Sequence, residues 1–254
     1  MSSADPMDHP SIVALAEGLH VRQAVDNIGW IDLGDGLLVV DALEQPELEG
    51  EVLAAIRQTA GEKRVRYVLN THLHYDHVAL NAAFQQRFGA TIVNARTTHL
   101  APDGLWLEGP ARRVQVLPMG GCHTDEDCVA WSPADRALFV GDIFGWGLIP
   151  SAGLDRAQAA RLEATYCRLI GLDAAAVIPG HGPVCSTAEL RRWLEYFRWL
   201  CREVSAACAS QRNDRKVLAQ IPPPQDMKGW WRFVQWKHQD SLGKVLQAVR
   251  SGGI

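Results

Sequence analysis

The chain has little of what would commit it to a membrane, a nucleic acid or a disulfide scaffold. No apolar run approaches the roughly 20 residues of a membrane span. The opening Met1-Ser2-Ser3-Ala4-Asp5-Pro6 lacks the basic start and apolar stretch of a secretion signal, so the cytoplasm is the expected compartment. Positive charge is outnumbered: 25 Lys and Arg face 29 Asp and Glu, a net charge of −4 with histidine neutral. A protein that tracks phosphates needs a basic stripe, and Arg191-Arg192 reads only as the solvated face of a helix. The expected partner is a small-molecule substrate, with no nucleic acid and no membrane. The six cysteines have no compact disulfide spacing. Cys122 and Cys128 flank a histidine-bearing turn, and reduced, partly buried thiols are expected of them. Neither a repeat nor a biased composition appears, and 254 residues suit one domain with an appendage, or at most two.

Against these absences stands Thr71-His72-Leu73-His74-Tyr75-Asp76-His77. His72, His74, Asp76 and His77 put four metal-competent side chains within six residues of a chain that has nine histidines in all. The preceding Arg66-Tyr67-Val68-Leu69-Asn70 reads as a buried strand, so the cluster falls on the loop leaving its C-terminal end, where ligands usually sit. A turn after His74 lets Asp76 and His77 point away from His72 and His74, a geometry suited to two neighbouring metals. Further ligand candidates follow: His123 in Gly120-Gly121-Cys122-His123, Asp142 after Val140-Gly141, and His181 in Pro179-Gly180-His181-Gly182. Each interrupts or ends a short apolar run beside glycine, as a strand end does when it delivers one side chain into a shared cleft.

Taken in this order, the seven residues resemble the metallo-β-lactamase superfamily of metallohydrolases over about residues 12 to 185. The resemblance implies an α/β fold, a four-layer αββα sandwich of two mixed sheets between outer helices, here with a helical C-terminal extension. It also implies a dinuclear site. Carried over by position, His72, His74 and His123 would hold the first ion, Asp76, His77 and His181 the second, and Asp142 would bridge them. Five imidazoles and two carboxylates suit two divalent ions, zinc first, with iron or manganese the other candidates. Asp41, at the end of a strand ahead of the site, is either a support for a ligand imidazole or a turn-capping carboxylate.

The expected chemistry is hydrolysis of an ester, thioester or lactone bond by a metal-bridging hydroxide, with Asp76 orienting it and passing on its proton. Local departures narrow this. Val78-Ala79-Leu80-Asn81 follows His77 where many relatives place glycines. A carboxylate at 142 disfavours the antibiotic-hydrolysing branch that has cysteine there, and Ile143-Phe144-Gly145-Trp146 lacks the tyrosine that lactonases often carry after the bridging Asp. A mononuclear iron sulfur dioxygenase would need only His72, His74, His123 and Asp142. A metal-dependent nuclease and a non-catalytic metal-binding protein are the remaining alternatives.

The other elements are read from periodicity. Ile31 to Leu43 holds two strands around Gly34-Asp35-Gly36. Leu48, Val52 and Ile56 mark a helix closed by Gly61, and Val78 to Phe88 a second one closed by Gly89. Strands are expected at Ala90 to Val93, Val114 to Leu117, Cys128 to Trp131 and Leu138 to Val140. Leu162, Tyr166, Leu169 and Ile170 form one helical stripe; Ser186 with Glu189 opens another, carrying Leu190, Trp193, Leu194, Phe197 and Leu200. Residues 1–210 form the expected catalytic domain. Beyond it, 211–254 is a Trp-rich extension in which Pro222-Pro223-Pro224 breaks any helix and Trp230, Trp231, Phe233 and Trp236 crowd together. This tail is read as packing, as a lid over the metals, or as the contact of a homodimer. Trp146, four positions after Asp142, is the expected aromatic wall for substrate.

Overall fold

The computed structural model describes residues 5–210 and 213–254; the first four residues read above and the first two of the expected extension lie outside the described residues. The chain divides into two compact units. One comprises Met1–Gly120, Thr124–Ile143 and Ala174–Ser186, the other Gly121–His123, Phe144–Asp173 and Thr187–Ile254.

The first unit holds two mixed sheets. β1 (Ser11–Ala16), β2 (Leu19–Gln23), β3 (Ile28–Asp32), β4 (Leu37–Val40), β5 (Val65–Leu69) and β6 (Thr91–Val93) form a six-stranded sheet in that order. Its first four strands are antiparallel neighbours, whereas β4, β5 and β6 are parallel. Parallel neighbours require a crossover, supplied here by α1 (Glu49–Ala60) and α2 (Asn81–Phe88). β7 (Leu105–Glu108), β8 (Arg113–Pro118), β9 (Cys128–Ser132), β10 (Ala137–Gly141) and β11 (Ala176–Pro179) make the second sheet, in spatial order β11-β10-β9-β8-β7. Only β10 and β11 are parallel there.

β4 shows how the layers follow from sequence. Leu38 and Val40 join a core built from both sheets, with Leu19, Ile31, Phe139 and Ile178. Leu37 and Val39 enter a second core with Trp30 and the helix residues Val52, Ile56 and Phe84. A strand buried on both faces needs a continuous apolar run rather than an alternating one. Each such buried side chain contributes roughly 1.5 to 3 kcal/mol relative to exposure, so the run also fixes β4 firmly in its sheet.

The helix expected over Val78 to Phe88 begins three residues later, at Asn81. Tyr75–His77 is a turn of 3-10 helix, and the next amides are committed elsewhere: Ala79 N donates to Leu43 O and Leu80 N to Ala42 O. Those bonds tie the histidine loop to the segment leaving β4. Sequence periodicity does not register such long-range backbone pairing.

The second unit is helical. Asp155 caps α3 (Arg156–Gly171) by accepting Gln158 N at 2.7 Å, and the expected capping-box helix is α4 (Thr187–Ser210). They meet through aromatic stacking, with Tyr166 on Trp193 at 3.9 Å between centroids and Trp193 on Phe197 at 5.4 Å. The tail supplies α5 (Asp214–Ala219) and α6 (His238–Arg250), separated by the proline run. Buried His238 joins the pieces: Tyr196 Oη lies 2.9 Å from its Nδ1, and its Nε2 donates to Ile221 O at 3.0 Å. Burial lowers its pKa, keeping it neutral. No described helix is long and apolar enough to cross a membrane.

Candidate metal centre

In the first unit the parallel pair of each sheet points its C-terminal ends at one cluster. The segments after β4, β5, β10 and β11 carry Asp41, His72 to His77, Asp142 and His181 respectively. Crevices outside the carboxyl ends of parallel strands are common ligand sites.

Buried polar residues shape the histidine loop. Asn70 Nδ2 donates to His77 O at 2.9 Å, closing the loop on itself. Thr71 N and Oγ1 both donate to Asp41 Oδ1, at 2.8 and 3.0 Å. Asp41 Oδ2 lies 3.0 Å from His77 Nδ1, so a single carboxylate holds both the start and the last imidazole of the loop. His181 has a comparable support that sequence reasoning missed: its Nδ1 lies 2.8 Å from Asp26 Oδ1. Asn27 fixes the same loop by donating from Nδ2 to Pro179 O and Gly182 O, both at 2.8 Å. The 155 residues between Asp26 and His181 leave no local signal of their pairing.

With Nδ1 occupied on both rings, the Nε2 atoms face the carboxylates. His181 Nε2 is 3.3 Å from Asp76 Oδ2 and 3.3 Å from Asp142 Oδ2. His77 Nε2 is 3.6 Å from Asp142 Oδ1 and 3.9 Å from Asp76 Oδ1, and His72 Nε2 is 4.0 Å from Asp142 Oδ2. His72, Asp76 and His77 thus bring candidate ligand atoms within 4.8 Å of one another, as do His77, Asp142 and His181. His74 stands beside His72, with ring centroids 4.7 Å apart, on an exposed part of the loop. Gly180 makes the crowding possible, since a Cβ there would lie 2.2 Å from Asp142 Oδ1 and 2.7 Å from His77 Cε1.

The electrostatics reflect concentrated negative charge. Burial opposes protonation of His77, but the carboxylates of Asp41 and Asp142 outweigh it and raise its pKa to about 9. His181 is likewise raised, by Asp142, Asp26 and Asp76 against the effect of burial. Burial opposes ionisation of Asp142, yet His181, His77 and His72 hold its pKa below the ordinary carboxylate range. Asp76 is lowered too, chiefly by its hydrogen bond with His181 working against burial. Two buried atoms, His77 Nε2 and Asp76 Oδ1, make no hydrogen bond within the protein. Buried polar atoms are seldom left so. Imidazole and carboxylate donors converging on one point, with the negative charge now balanced by protons, fit divalent cations.

The other expected site residues belong to the second unit. His123 donates from Nδ1 to Pro150 O at 2.9 Å, which fixes that ring's orientation. Gln158 Nε2 donates to Gly121 O at 2.7 Å in the segment just before it. Trp146 is buried with a backbone φ of 55°, against Phe144 and Trp230 at centroid distances of 5.4 and 5.5 Å. Cys128, in the first unit, stands as a buried thiol that donates to Asn70 O at 3.3 Å. Burial pushes its pKa far up, as expected of an unreactive core cysteine.

The sequence profile of the metallo-beta-lactamase superfamily matches residues 23–181. The chain belongs to the metallo-β-lactamase superfamily of metal-dependent hydrolases. Its mixed sheets and its helices are the elements of that superfamily's αββα fold, with further helices at the C-terminal end. It is 34% identical over 109 residues to a hydroxyacylglutathione hydrolase of Methylococcus capsulatus, a match spanning 40% of this chain and 41% of the relative. A hydroxyacylglutathione hydrolase of Rhizobium meliloti is 27% identical over 200 residues, 74% of this chain and 75% of that one. Among solved structures, a metallo-beta-lactamase from Pontibacter korlensis matches with a TM-score of 0.58 at 20% identity, over 74% of this chain and 98% of its own. At that identity the likeness speaks for the fold alone.

Proposed function

We propose that this superfamily member hydrolyses a thioester, ester or lactone bond in a small molecule, thioester first, with two divalent ions, zinc first. The observation that carries the reading is Asp142, a half-buried carboxylate within 4.0 Å of His72, His77 and His181. The two relatives bearing the name hydroxyacylglutathione hydrolase support the thioester. His72, His74 and His123 would hold one ion, Asp76, His77 and His181 the other, and Asp142 both; the place of His123 in this set rests on family order. When bound, such ions supply Lewis acidity and lower the pKa of a water toward neutrality.

The protein's own part is positioning and proton handling. Asp26 accepts from His181 Nδ1–H and Asp41 faces His77 Nδ1 as an ion-pair partner, which turns Nε2 of both rings into the cluster. Asp76, kept ionised and held at Oδ2 by His181, would orient the attacking water and pass on its proton. Trp146 gives the substrate an apolar wall. The chain's net charge of −4 supports a small-molecule substrate over a nucleic acid. Elemental analysis paired with a thioester, ester and lactone panel tests the reading. The expected result is about two ions per chain with thioester hydrolysis fastest. One iron per chain, with oxygen consumed and no hydrolysis, would replace this reading with the sulfur dioxygenase.

A further inference from the structure

Asn70 stands one residue ahead of the Thr71 to His77 loop, fully buried, and every polar atom it has is engaged. Its N–H donates to Val93 O at 3.0 Å, and its carbonyl accepts from Cys128 Sγ at 3.3 Å. The side chain is used as completely. Nδ2 donates to His77 O at 2.9 Å and to Asn81 Oδ1 at 3.1 Å; Oδ1 accepts from Asn81 Nδ2 at 2.9 Å and, at the longer distance of 3.4 Å, from Asn94 Nδ2. Two protons and two acceptor positions are all that a primary amide offers. Turning the group over would set its oxygen against His77 O, so the partners also fix which way it faces.

Asn81 completes this arrangement from the start of a helix. It is the first residue of α2, and asparagine near such a start ordinarily serves as the cap. Here it caps nothing. The capping position belongs to Leu80, which makes no side-chain hydrogen bond, and the Asn81 amide turns back to Asn70 in two reciprocal bonds. Val78, Ala79 and Leu80, which join His77 to Asn81, have only apolar side chains. His77 is therefore held from two sides: Asp41 Oδ2 stands 3.0 Å from its ring Nδ1, and Asn70 holds its carbonyl. The first contact sets how the ring is turned, the second where its main chain lies.

We infer that Asn81 is a positioning residue for the metal centre. By bonding Asn70 in both directions it keeps that amide turned toward His77 O, and so fixes the backbone from which His77 Nε2 is presented to an ion. This deepens the proposed metallohydrolase reading and rests on its metal centre. Ligand atoms must lie within about 0.2 Å of their ideal distances, so a loosened carbonyl at His77 weakens coordination although no ligand is lost. Groups that orient ligands contribute in this indirect way.

The test uses the full chain loaded with zinc or cobalt(II). Asn81→Ala and the similarly sized Asn81→Leu each remove both reciprocal bonds and place a good helix former in α2, so the thermal midpoint should move by no more than about 3 °C. Zinc affinity, measured by competition with a chelator, should fall by about 10-fold in both variants, the share of two neutral hydrogen bonds. The visible absorption bands of the cobalt(II) form should shift as well, which a residue that only stabilised the fold would not cause. Asn70→Ala should weaken zinc at least as much, and adding Asn81→Ala to it should bring little further loss, because both act through one carbonyl. None of these readouts needs turnover: a chain that binds its ions with this pattern yet cleaves no thioester, ester or lactone loses the hydrolase reading and keeps the positioning role. Unchanged zinc affinity and an unchanged cobalt(II) spectrum in the folded Asn81 variants overturn that role and leave the hydrolase standing. Failure of both variants to fold would make Asn81 a support of the fold and overturn it equally.

Discussion

The aspartate and histidine cluster of the first unit and the Phe144 to Ser151 loop of the second both bury polar atoms that make no hydrogen bond, but the atoms differ in kind. In the cluster they are Asp76 Oδ1 and His77 Nε2, an acceptor and a ring nitrogen among carboxylates. In the loop they are an indole N–H and a hydroxyl among aromatic rings. The first setting calls for a cation, whereas the second is a pair of neutral donors, Trp146 Nε1 and Ser151 Oγ, in a loop packed against aromatic rings. Unsatisfied atoms of the two kinds therefore carry different meanings, charge concentration in one region and tight apolar packing in the other.

Replacing Asp142 breaks the cluster side of the comparison most completely. Asp142→Ala should lower kcat/KM by on the order of 10³-fold or more, about 4 kcal/mol, and reduce bound metal. Full activity at matched metal loading would remove Asp142 from the site. Supporting carboxylates come next. Asp26→Ala and Asp41→Ala should each weaken metal binding by about 10- to 100-fold, because either change frees an Nδ1 and lets its ring turn. Competition with a chelator measures this, and an unchanged affinity for Asp26→Ala would reduce that residue to a loop support.

Protons sharpen the same contrast. Metal must displace the proton from His77, whose pKa of about 9 means it is charged at neutral pH in the metal-free chain. Apparent affinity should then rise with pH by roughly tenfold per pH unit for each proton released, and the slope should ease as pH passes about 9 and His77 no longer contributes. The metal-free fold behaves in the opposite sense. A folded pKa raised above 6.5 contributes stability that is complete below that value and is lost as pH climbs through about 9. Titration of the loaded and metal-free chains checks both directions, and parallel responses would show that His77 is not the competing group.

On the loop side the effects are those of packing. Gly147→Ala should cost about 1 to 3 kcal/mol, since the new methyl meets the Phe233 ring and the φ of +96° disfavours any side chain. Trp236 is 45% exposed, and Trp236→Ala should change stability by no more than about 0.5 kcal/mol. Denaturant unfolding ranks the two; a larger loss at Trp236 would mean that this ring is covered by a partner, as in a homodimer.

How legible each region was follows from the range of the interactions that build it. The ligand candidates stood out because metal chemistry uses few residue types, and a crowded loop after an apolar strand keeps most of them local. β4, β9 and β10 were readable because strands inside a sheet are apolar on both faces. β1 and β7 were not read: their residues are mostly half-exposed or exposed, and their pattern is diluted at the sheet edges. A helical extension was expected, but α6 was not placed within it, because its stripe of Leu242, Val245 and Leu246 follows directly on the tryptophan-rich segment with no capping side chain to mark its start.

By itself the sequence determined the candidate ligands and the break at the proline run, which depend on residue type and local period, and the αββα class only through the family resemblance that those ligands carry. Tertiary structure alone decided that Asp26 backs His181 across 155 residues, that Asp41 serves Thr71 and His77 at once, and that Trp146 and Ser151 are buried without acceptors. Those facts depend on where distant carboxylates and amides end up. A chain's composition names its donors and acceptors, but only the packed fold settles which of them meet.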